Sequence, residues 1–258
     1  MIIIQPSIDP IIVSFGYIDI RWYSLAYIFA FIFGSILIKK LNKNSYNLIS
    51  DKQIDKFFTW AVIGVIIGGR LGYVLFYQIN LFILEPLYVF QIWKGGMSFH
   101  GGLVGMICSI YLFSKKNNIK FFYLSDLVSI VAPIGLFLGR ISNFINTELY
   151  GRVTDFSFAV IYPLVDDKPR HPSQLYEAFF EGIILFVILF FYFTNNIKRY
   201  SVGLISAYFL ILYSIFRFLI EYLREPDSHM GLFLNYFSMG QILCTPIFVA
   251  GIIILFRK

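Results

Sequence analysis

Four polar side chains that could bind an anion follow directly on an apolar run of this chain. They are Arg140, Asn143, Thr147 and Glu148. Their spacing of i, i+3, i+7 and i+8 places them on one face if the segment continues as a helix. A guanidinium group suits phosphate because its planar fork donates two parallel hydrogen bonds and keeps its charge when desolvated. The segment therefore indicates either a site for a phosphate-bearing ligand or an ion pair that seals a helix end.

A second face of the same kind occurs later in the chain. Its members are Tyr213, Arg217, Glu221 and Arg224. The spacing of i, i+4, i+8 and i+11 again describes one side of a helix. One interpretation is a local ion pair between Arg217 and Glu221, which lie one helical turn apart. The other interpretation is that both arginine faces line one basic pocket.

A histidine with glycines on both sides is a further candidate. His100 could act as an acid or base near neutral pH, where histidine titrates unaided, or it could be a hydrogen-bonded packing residue. His171 and His229 lie far from it in sequence, and no Cys or His cluster has the spacing of metal ligands. The chain also has no nucleophile elbow and no phosphate-binding loop. The sequence therefore predicts neither a metal site nor a cofactor.

Three further segments could contribute to the pocket or could be purely structural. Arg70 lies in the segment Gly68–Gly72, whose small residues are typical of close helix packing in lipid. Tyr23 begins an apolar run, where aromatic residues form a belt at the membrane surface. Ser173 is a candidate N-cap of a later helix, and Glu177 would suit the dipole of its first turn. Gln174 and Glu177 could alternatively serve the site.

The composition of the chain indicates a membrane protein. Of 258 residues, 58% are hydrophobic and only 14% are charged, and the mean hydropathy is +0.74. A soluble domain has nearer ~25% charged residues. We expect an all-α integral membrane protein with seven transmembrane helices in one polytopic domain, residues 1–258. The predicted spans are about Ile20–Leu41, Phe57–Gln78, Ser98–Phe113, Phe121–Ile141, Ser173–Thr194, Val202–Leu223 and Tyr236–Phe256.

The basic residues predict the orientation of these spans. Twelve Lys and Arg residues lie at the C-terminus and in the loops after spans one, three and five, against six on the other side. Cytoplasmic loops collect Lys and Arg, so we expect an external N-terminus and a cytoplasmic C-terminus. The net charge of +6 has the same origin and does not indicate nucleic acid. The remaining three basic residues lie within or at the end of spans, and they are Arg70, Arg140 and Arg217.

Two segments outside the spans complete the predicted organisation. The longest external segment, about residues 143–172, lies between spans four and five and predicts a small external head. Alternating residues from Phe156 to Ile161 favour a short hairpin there. The first 19 residues are apolar but interrupted by Pro and Asp, and we interpret them as an interfacial segment. The basic pocket is then expected to open outward, toward the head.

These segments resemble the motifs of a known family. Residues Gly139–Gly151 read G-R-x-S-N-F-I-N-x-E-x-x-G, which resembles the signature of bacterial prolipoprotein diacylglyceryl transferases. Ser142 stands where we expect Gly or Ala, and it keeps a small side chain at that position. The agreement covers nearly the whole chain. The other matching segments are Arg21–Tyr23, Gly69–Tyr73, Ser98–Gly102, Arg170–Glu177, Arg217–Glu221, Arg224–Asp227 and Ser238–Gln241.

The resemblance implies an activity in the bacterial inner membrane, the first step of lipoprotein maturation. The diacylglyceryl group of phosphatidylglycerol passes to the lipobox cysteine thiol of a preprolipoprotein signal peptide, giving a thioether and glycerol 1-phosphate. The implied partners are these two substrates and membrane lipid, without cofactor or nucleic acid. The implied catalytic residues are Tyr23, His100, Arg140, Tyr213, Arg217 and Glu221. The implied substrate-binding residues are Arg140, Asn143, Asn146, Glu148, Gly151 and Arg217.

A protein that binds or transports an anionic lipid without reacting with it is the alternative. Transporters often contain inverted repeats and place their sites at the membrane midplane. This sequence shows no such repeat, and its charged span residues lie toward one side. The two classes differ in whether a detergent extract converts phosphatidylglycerol when it is given a lipobox peptide.

The predicted orientation can be tested with reporter fusions. Fusions after Lys116 and Arg199 should report the cytoplasm, because the loops that contain these two residues are among those rich in Lys and Arg. A fusion near Lys168 should report the exterior. A cytoplasmic signal at Lys168 would contradict the arrangement of seven spans.

Overall fold

The computed structural model of the chain describes residues 3–16, 18–197, 199, 201–226 and 236–257. Asp227 and His229, both named above, lie outside the described residues. The chain divides into two compact units. The first unit comprises Met1–Leu37 and Asp126–Lys258, and the second comprises Ile38–Ser125. The single domain expected from the sequence stays a prediction.

Helices form in all seven of the predicted spans. Within the described part of the chain, four helices can cross a membrane by length and composition, and they are Trp22–Asn44, Asp51–Tyr77, Phe121–Ile145 and Ser173–Asn196. Leu204–Ile220 and Met239–Leu255 are apolar but shorter. That all seven predicted spans cross the bilayer stays a prediction. In chain order the helices are α1 (Trp22–Asn44), α2 (Asp51–Tyr77), α3 (Ile79–Leu84), α4 (Phe99–Lys116), α5 (Phe121–Ile145), α6 (Ser173–Glu177), α7 (Leu185–Asn196), α8 (Leu204–Ile220) and α9 (Met239–Leu255).

Five short strands among the described residues of the first unit correct the expectation of an all-α protein. The predicted interfacial segment at the N-terminus contains three of them, because its backbone groups need hydrogen-bond partners. One sheet is a hairpin of β2 and β3, and the other has the order β1-β4-β5, with β1 parallel to β4. The strands are β1 (Ile3–Ile4), β2 (Ile11–Phe15), β3 (Ile18–Arg21), β4 (Val160–Ile161) and β5 (Pro169–Arg170).

The hairpin predicted from Phe156 to Ile161 is wrong in its extent. Only Val160 and Ile161 form a strand in that segment, and residues 157–158 form a turn. Their hairpin partner is β5, which follows eight residues later, and β1 completes the sheet from the far end of the chain. Pairing with a segment so distant in sequence leaves no local pattern to detect.

A buried carboxylate anchors α8 in the first unit. The Asp126 side chain is fully buried and accepts hydrogen bonds from the backbone N–H groups of Gly203 and Ser206, at 2.6 and 2.8 Å. The Ser206 hydroxyl donates a third bond to it at 2.7 Å. The first N–H groups of a helix have no partner within the helix, so Asp126 satisfies the start of α8 from a different helix.

The second unit is organised by close contact between α2 and α4. A Cβ atom added to Gly72 would lie 2.8 Å from the Gly101 Cα atom, and one added to Gly68 would lie 2.9 Å from the Gly105 Cα atom. Only glycine allows the two backbones to approach this closely. The interpretation of this segment as a helix-packing surface is therefore confirmed.

Arg70 binds backbone carbonyl groups within the second unit. Its guanidinium group donates hydrogen bonds to the carbonyl oxygens of Tyr88, Val89 and Gly96, at 2.8, 3.1 and 3.3 Å, and to that of Gly95. These carbonyls belong to the loop between α3 and α4, which contains two short 3₁₀ turns. Arg70 therefore holds this loop against α2.

Candidate active site

The helix that carries the first arginine ends before the whole predicted face is formed. α5 ends at Ile145, and Thr147 adopts a left-handed conformation with φ of 57°. The N–H groups of Glu148 and Thr147 donate to the carbonyls of Asn143 and Phe144, at 2.9 and 3.2 Å, which is a Schellman motif. The Thr147 hydroxyl turns away and donates to Gln5 Oε1 at 3.0 Å. The prediction that Thr147 shares the face of Arg140 is therefore wrong.

The residues after this turn form a first polar cluster. The Glu148 carboxylate accepts hydrogen bonds from the Asn143 amide at 3.1 Å, the Tyr23 hydroxyl at 3.2 Å and the Asn146 amide at 3.4 Å. The Asn143 amide also donates to the Tyr23 hydroxyl. The structure thus brings together four residues that are up to 125 positions apart in sequence. Glu148 is exposed at this end of α5, whereas Asn143 is buried.

The start of the helix Ser173–Asn196 holds the backbone beside this cluster. The Gln174 amide donates to the carbonyl of Glu148 at 2.7 Å and accepts from the Tyr162 hydroxyl at 2.9 Å. The Ser173 hydroxyl donates to the carbonyl of Leu149 at 2.8 Å. The prediction of Ser173 as the N-cap is wrong, because residue 172 takes that position and the serine side chain satisfies a carbonyl instead.

A second cluster pairs guanidinium groups with carboxylates from another helix. Arg140 Nε lies 2.9 Å from Glu177 Oε2, and Arg140 Nη2 lies 3.3 Å from Glu181 Oε2. Arg217 Nη1 pairs with the other oxygen of Glu177, and Arg217 Nη2 lies 2.7 Å from Glu221 Oε2. Glu177 therefore joins the two arginines that the sequence predicted to share a pocket. The local pair of Arg217 and Glu221 is also present.

The second cluster contains equal numbers of opposite charges. Arg224 Nη1 lies 3.7 Å from Glu177 Oε1, so three arginines and three glutamates meet at one end of the helices of this unit. The side chains of Glu177 and Glu181 are fully buried, and that of Arg140 is only 14% exposed. A charge removed from water needs partners of opposite sign, and breaking such a pair costs about 3–5 kcal/mol.

Glu181 is the member of this cluster that the sequence analysis missed. The sequence patterns offer Glu177 only as an alternative to a helix-dipole role, and they do not single out Glu181. A detectable signal was present, because two carboxylates one turn apart interrupt an otherwise apolar helix of 24 residues. Charged residues inside such a helix indicate function or a partner on another helix.

Gly151 joins the site to the head through its backbone. Its N–H group donates to the carbonyl of His171 at 2.9 Å, and that of Arg152 donates to the carbonyl of Leu223 at 2.9 Å. A Cβ atom at Gly151 would lie 2.6 Å from the His171 Cβ atom and 2.7 Å from the Leu223 oxygen. Gly151 thus allows three segments to meet beside Arg224, with which it forms an isolated β-bridge.

Electrostatic shifts in the head follow from its own contacts. Arg170 Nη2 donates to Asp166 Oδ2 at 2.7 Å, and this hydrogen bond holds the pKa of the Asp166 carboxyl below its ordinary value. Partial burial lowers the pKa of His171, because the charged imidazolium is disfavoured away from water. Burial likewise raises the pKa of Tyr162. None of these groups belongs to the two polar clusters.

The two remaining predicted residues lie in different units. Tyr213 is buried one turn before Arg217, and its ring stacks on Phe209 with centroids 5.9 Å apart. His100 lies in the first turn of α4 in the second unit, where its ring meets Phe99 edge-on. Its predicted catalytic role therefore stays a prediction. Among the described residues, no group of three or more His, Cys, Asp or Glu side chains could hold a metal ion.

Long apolar helices with a shielded cluster of six charges at one end define a multi-pass membrane protein with an ionic site. The chain belongs to the prolipoprotein diacylglyceryl transferase family, whose model matches residues 10–257. The resemblance found in the sequence motifs is therefore confirmed.

Similar bacterial proteins carry the name phosphatidylglycerol–prolipoprotein diacylglyceryl transferase. The relative from Rickettsia typhi is 49% identical over 248 residues, which are 96% of this chain and 96% of the relative. The relative from Vibrio campbellii is 46% identical and covers 97% of this chain and 90% of its own length. The relative from Aeromonas hydrophila is 46% identical, with 95% and 88% covered.

The crowding at Gly151 predicts a steric cost for any side chain there. Gly151→Ala should lower stability by about 1–3 kcal/mol, because the methyl group forces apart backbone segments that are hydrogen bonded to each other. Gly139→Ala is the matched control, since a Cβ atom there meets nothing within 4 Å. The measurement is the thermal unfolding midpoint of both variants in detergent. Equal midpoints would contradict the steric role of Gly151.

Proposed function

We propose that this protein transfers the diacylglyceryl group of phosphatidylglycerol to the lipobox cysteine thiol of preprolipoproteins. The observation that carries the proposal is the convergence of Arg140 and Arg217, from two separate helices, on the Glu177 carboxylate. Two guanidinium forks on one oxyanion form a site that a phosphodiester can enter by replacing that carboxylate. The names of the relatives supply the two substrates.

The chemistry requires stabilisation of a leaving phosphate. The cysteine sulfur attacks the glycerol carbon, the carbon–oxygen bond breaks, and its electron pair goes to glycerol 1-phosphate. Negative charge therefore grows on the phosphate oxygens in the transition state, and guanidinium groups already fixed beside them lower its energy. The nucleophile belongs to the peptide substrate, so the protein needs none of its own.

The first polar cluster suits the hydroxyl-bearing headgroup of the lipid. Asn143, Asn146 and Glu148 present amide and carboxylate groups one to two turns beyond Arg140, and Tyr23 adds a hydroxyl. A glycerol headgroup attached to a phosphate held at Arg140 would reach these donors and acceptors. We assign them to substrate binding and to orientation of the ester oxygen that leaves.

The site is proposed to face the external leaflet of the bacterial inner membrane. Seven helices then span the bilayer, with the N-terminus and the head outside and the C-terminus in the cytoplasm. Two features support this orientation. Lys115, Lys116 and Lys120 precede the start of α5 in the sequence, whereas Arg140 of the charge cluster lies near the other end of α5, which leads into the head. Phosphatidylglycerol and a signal peptide can both reach such a site laterally from lipid.

The phosphate site predicts unequal effects of arginine substitutions. Arg140→Ala and Arg217→Ala should each lower the transfer rate tenfold to a hundredfold or more, since a charged hydrogen bond contributes about 1.5–3 kcal/mol. Arg140 should be the more critical of the two. Arg140→Lys should recover little activity, because lysine offers a point charge without a planar fork. The measurement is the transfer rate per folded enzyme, with phosphatidylglycerol and a lipobox peptide.

Arg21→Ala is the control for loss of a positive charge, because Arg21 is exposed and pairs only loosely with Asp19 at 3.7 Å. It should keep the wild-type rate. Arginines that only seal helix ends would give a different result: less folded protein, but normal activity in the fraction that folds. Near-wild-type rates in all three Arg140 and Arg217 variants would defeat the phosphate site.

A further inference from the structure

Glu181 lies in an unusual turn of its helix. α6 continues into α7 through a π-helical segment, Ala178–Ile184, and π turns occur frequently at functional sites. The turn lies tightly against α5, since a Cβ atom added to Gly182 would be 2.6 Å from the Phe137 Cβ atom. The Glu181 side chain is fully buried at this contact. The close packing holds its carboxylate beside Arg140.

Glu181 is the least supported carboxylate of the second cluster. Glu177 lies within ion-pair distance of three arginines, and Glu221 is held by Arg217 at 2.7 Å and by the Ser238 hydroxyl at 2.9 Å. Glu181 has a single arginine contact, at 3.3 Å, and its Oε1 atom has no hydrogen-bond partner among the described residues. A buried carboxylate oxygen without a donor is destabilised, so this oxygen favours a proton.

The charge balance of the cluster changes when a lipid phosphate arrives. Three guanidinium groups face three carboxylates, so the cluster is neutral when all six are ionised. A phosphodiester adds one negative charge in surroundings where excess charge is costly. The transfer turns the phosphodiester into a phosphate monoester that carries a second negative charge. The cysteine thiol must lose its proton in the same reaction, so a carboxylate that takes up this proton compensates the charge that develops on the leaving phosphate.

We propose that Glu181 accepts the thiol proton of the cysteine substrate. The inference rests on the proposed function. In the step, the sulfur–hydrogen bond breaks and its proton passes to Glu181 Oε1. The sulfur–carbon bond forms, and the glycerol carbon–oxygen bond breaks with its electron pair on the departing glycerol 1-phosphate. The balance is complete, because one thiol and one ionised carboxyl become one thioether and one neutral carboxyl, without any further reactant.

The groups that act electrostatically on Glu181 come from all the packed helices of the cluster. Arg140 on α5 and Arg217 on α8 favour its ionised form, whereas Glu177 on its own helix favours the protonated form. Tyr213 on α8 and Cys244 on α9 also interact with it electrostatically. Phosphate binding engages both arginines, so their support of the ionised carboxylate falls at the moment when the thiol must be deprotonated.

Glu181→Gln tests this role, because glutamine keeps the shape and the contact to Arg140 but cannot accept a proton. The expected result is a fall in kcat of about 10²–10⁴-fold, with little change in KM for phosphatidylglycerol. The variant's rate should also rise with pH as the free thiol, of pKa ~8.5, ionises in solvent. Glu181→Asp should recover part of the activity. The measurements are kcat and KM as a function of pH, per folded enzyme.

Asp126→Asn is the matched control. It also removes a buried carboxylate from the first unit, but Asp126 caps the start of α8 and does not belong to the charge cluster. It should lower thermal stability and leave the pH profile unchanged. A wild-type kcat in Glu181→Gln would overturn the inference. A raised KM with an unchanged pH profile would also overturn it, because Glu181 would then only position Arg140. These tests require that the wild-type protein transfers the diacylglyceryl group. If the wild type itself gives no transfer, the proposed function is overturned, and this inference with it.

Discussion

The need to compensate charge away from water determines the arrangement of this protein. Arginine and glutamate side chains lie among long apolar helices, where an isolated charge is costly. The cost is offset when charges of opposite sign meet, and Glu177 provides the meeting point for arginines from α5, α8 and the turn after α8. The head, the end of α5 and the start of Ser173–Asn196 are positioned by hydrogen bonds around this cluster.

The arginines of this cluster are paired with carboxylates, and in the proposed function they exchange a carboxylate for a phosphate. Each carboxylate occupies a position that a phosphate oxygen could take on the same guanidinium fork, so the resting ion pairs prepare the geometry of the ligand. This exchange reconciles the two interpretations of each arginine, as a structural ion pair and as a phosphate ligand. In the proposed function the same residues serve both roles in succession. Under the further inference, the carboxylate of Glu181 then accepts the thiol proton.

Sequence patterns predicted the helices well and the partners less well. Each of the seven predicted apolar runs contains a helix, because a helix satisfies its own backbone and its composition is local, whereas the short α3 lies outside these runs. The spacing around Arg217 also predicted correctly the ion pair of Arg217 with Glu221, and Arg224 joins the same cluster through Glu177, although α8 ends at Ile220. The pairing of β1 with β4 and that of Arg140 with Glu177 were missed, since both join segments that are far apart in the chain. The left-handed Thr147 was missed because glycine is the usual residue at that position.

The central claim is that Arg140 and Arg217 exchange a carboxylate for the lipid phosphate. The most direct measurement is an experimental structure of the protein in a lipid nanodisc that contains phosphatidylglycerol. The account predicts phosphate oxygens within hydrogen-bond distance of both guanidinium groups, with at least one of the Glu177 ion pairs broken. A phosphate bound elsewhere, with both arginines still paired to Glu177, would contradict it.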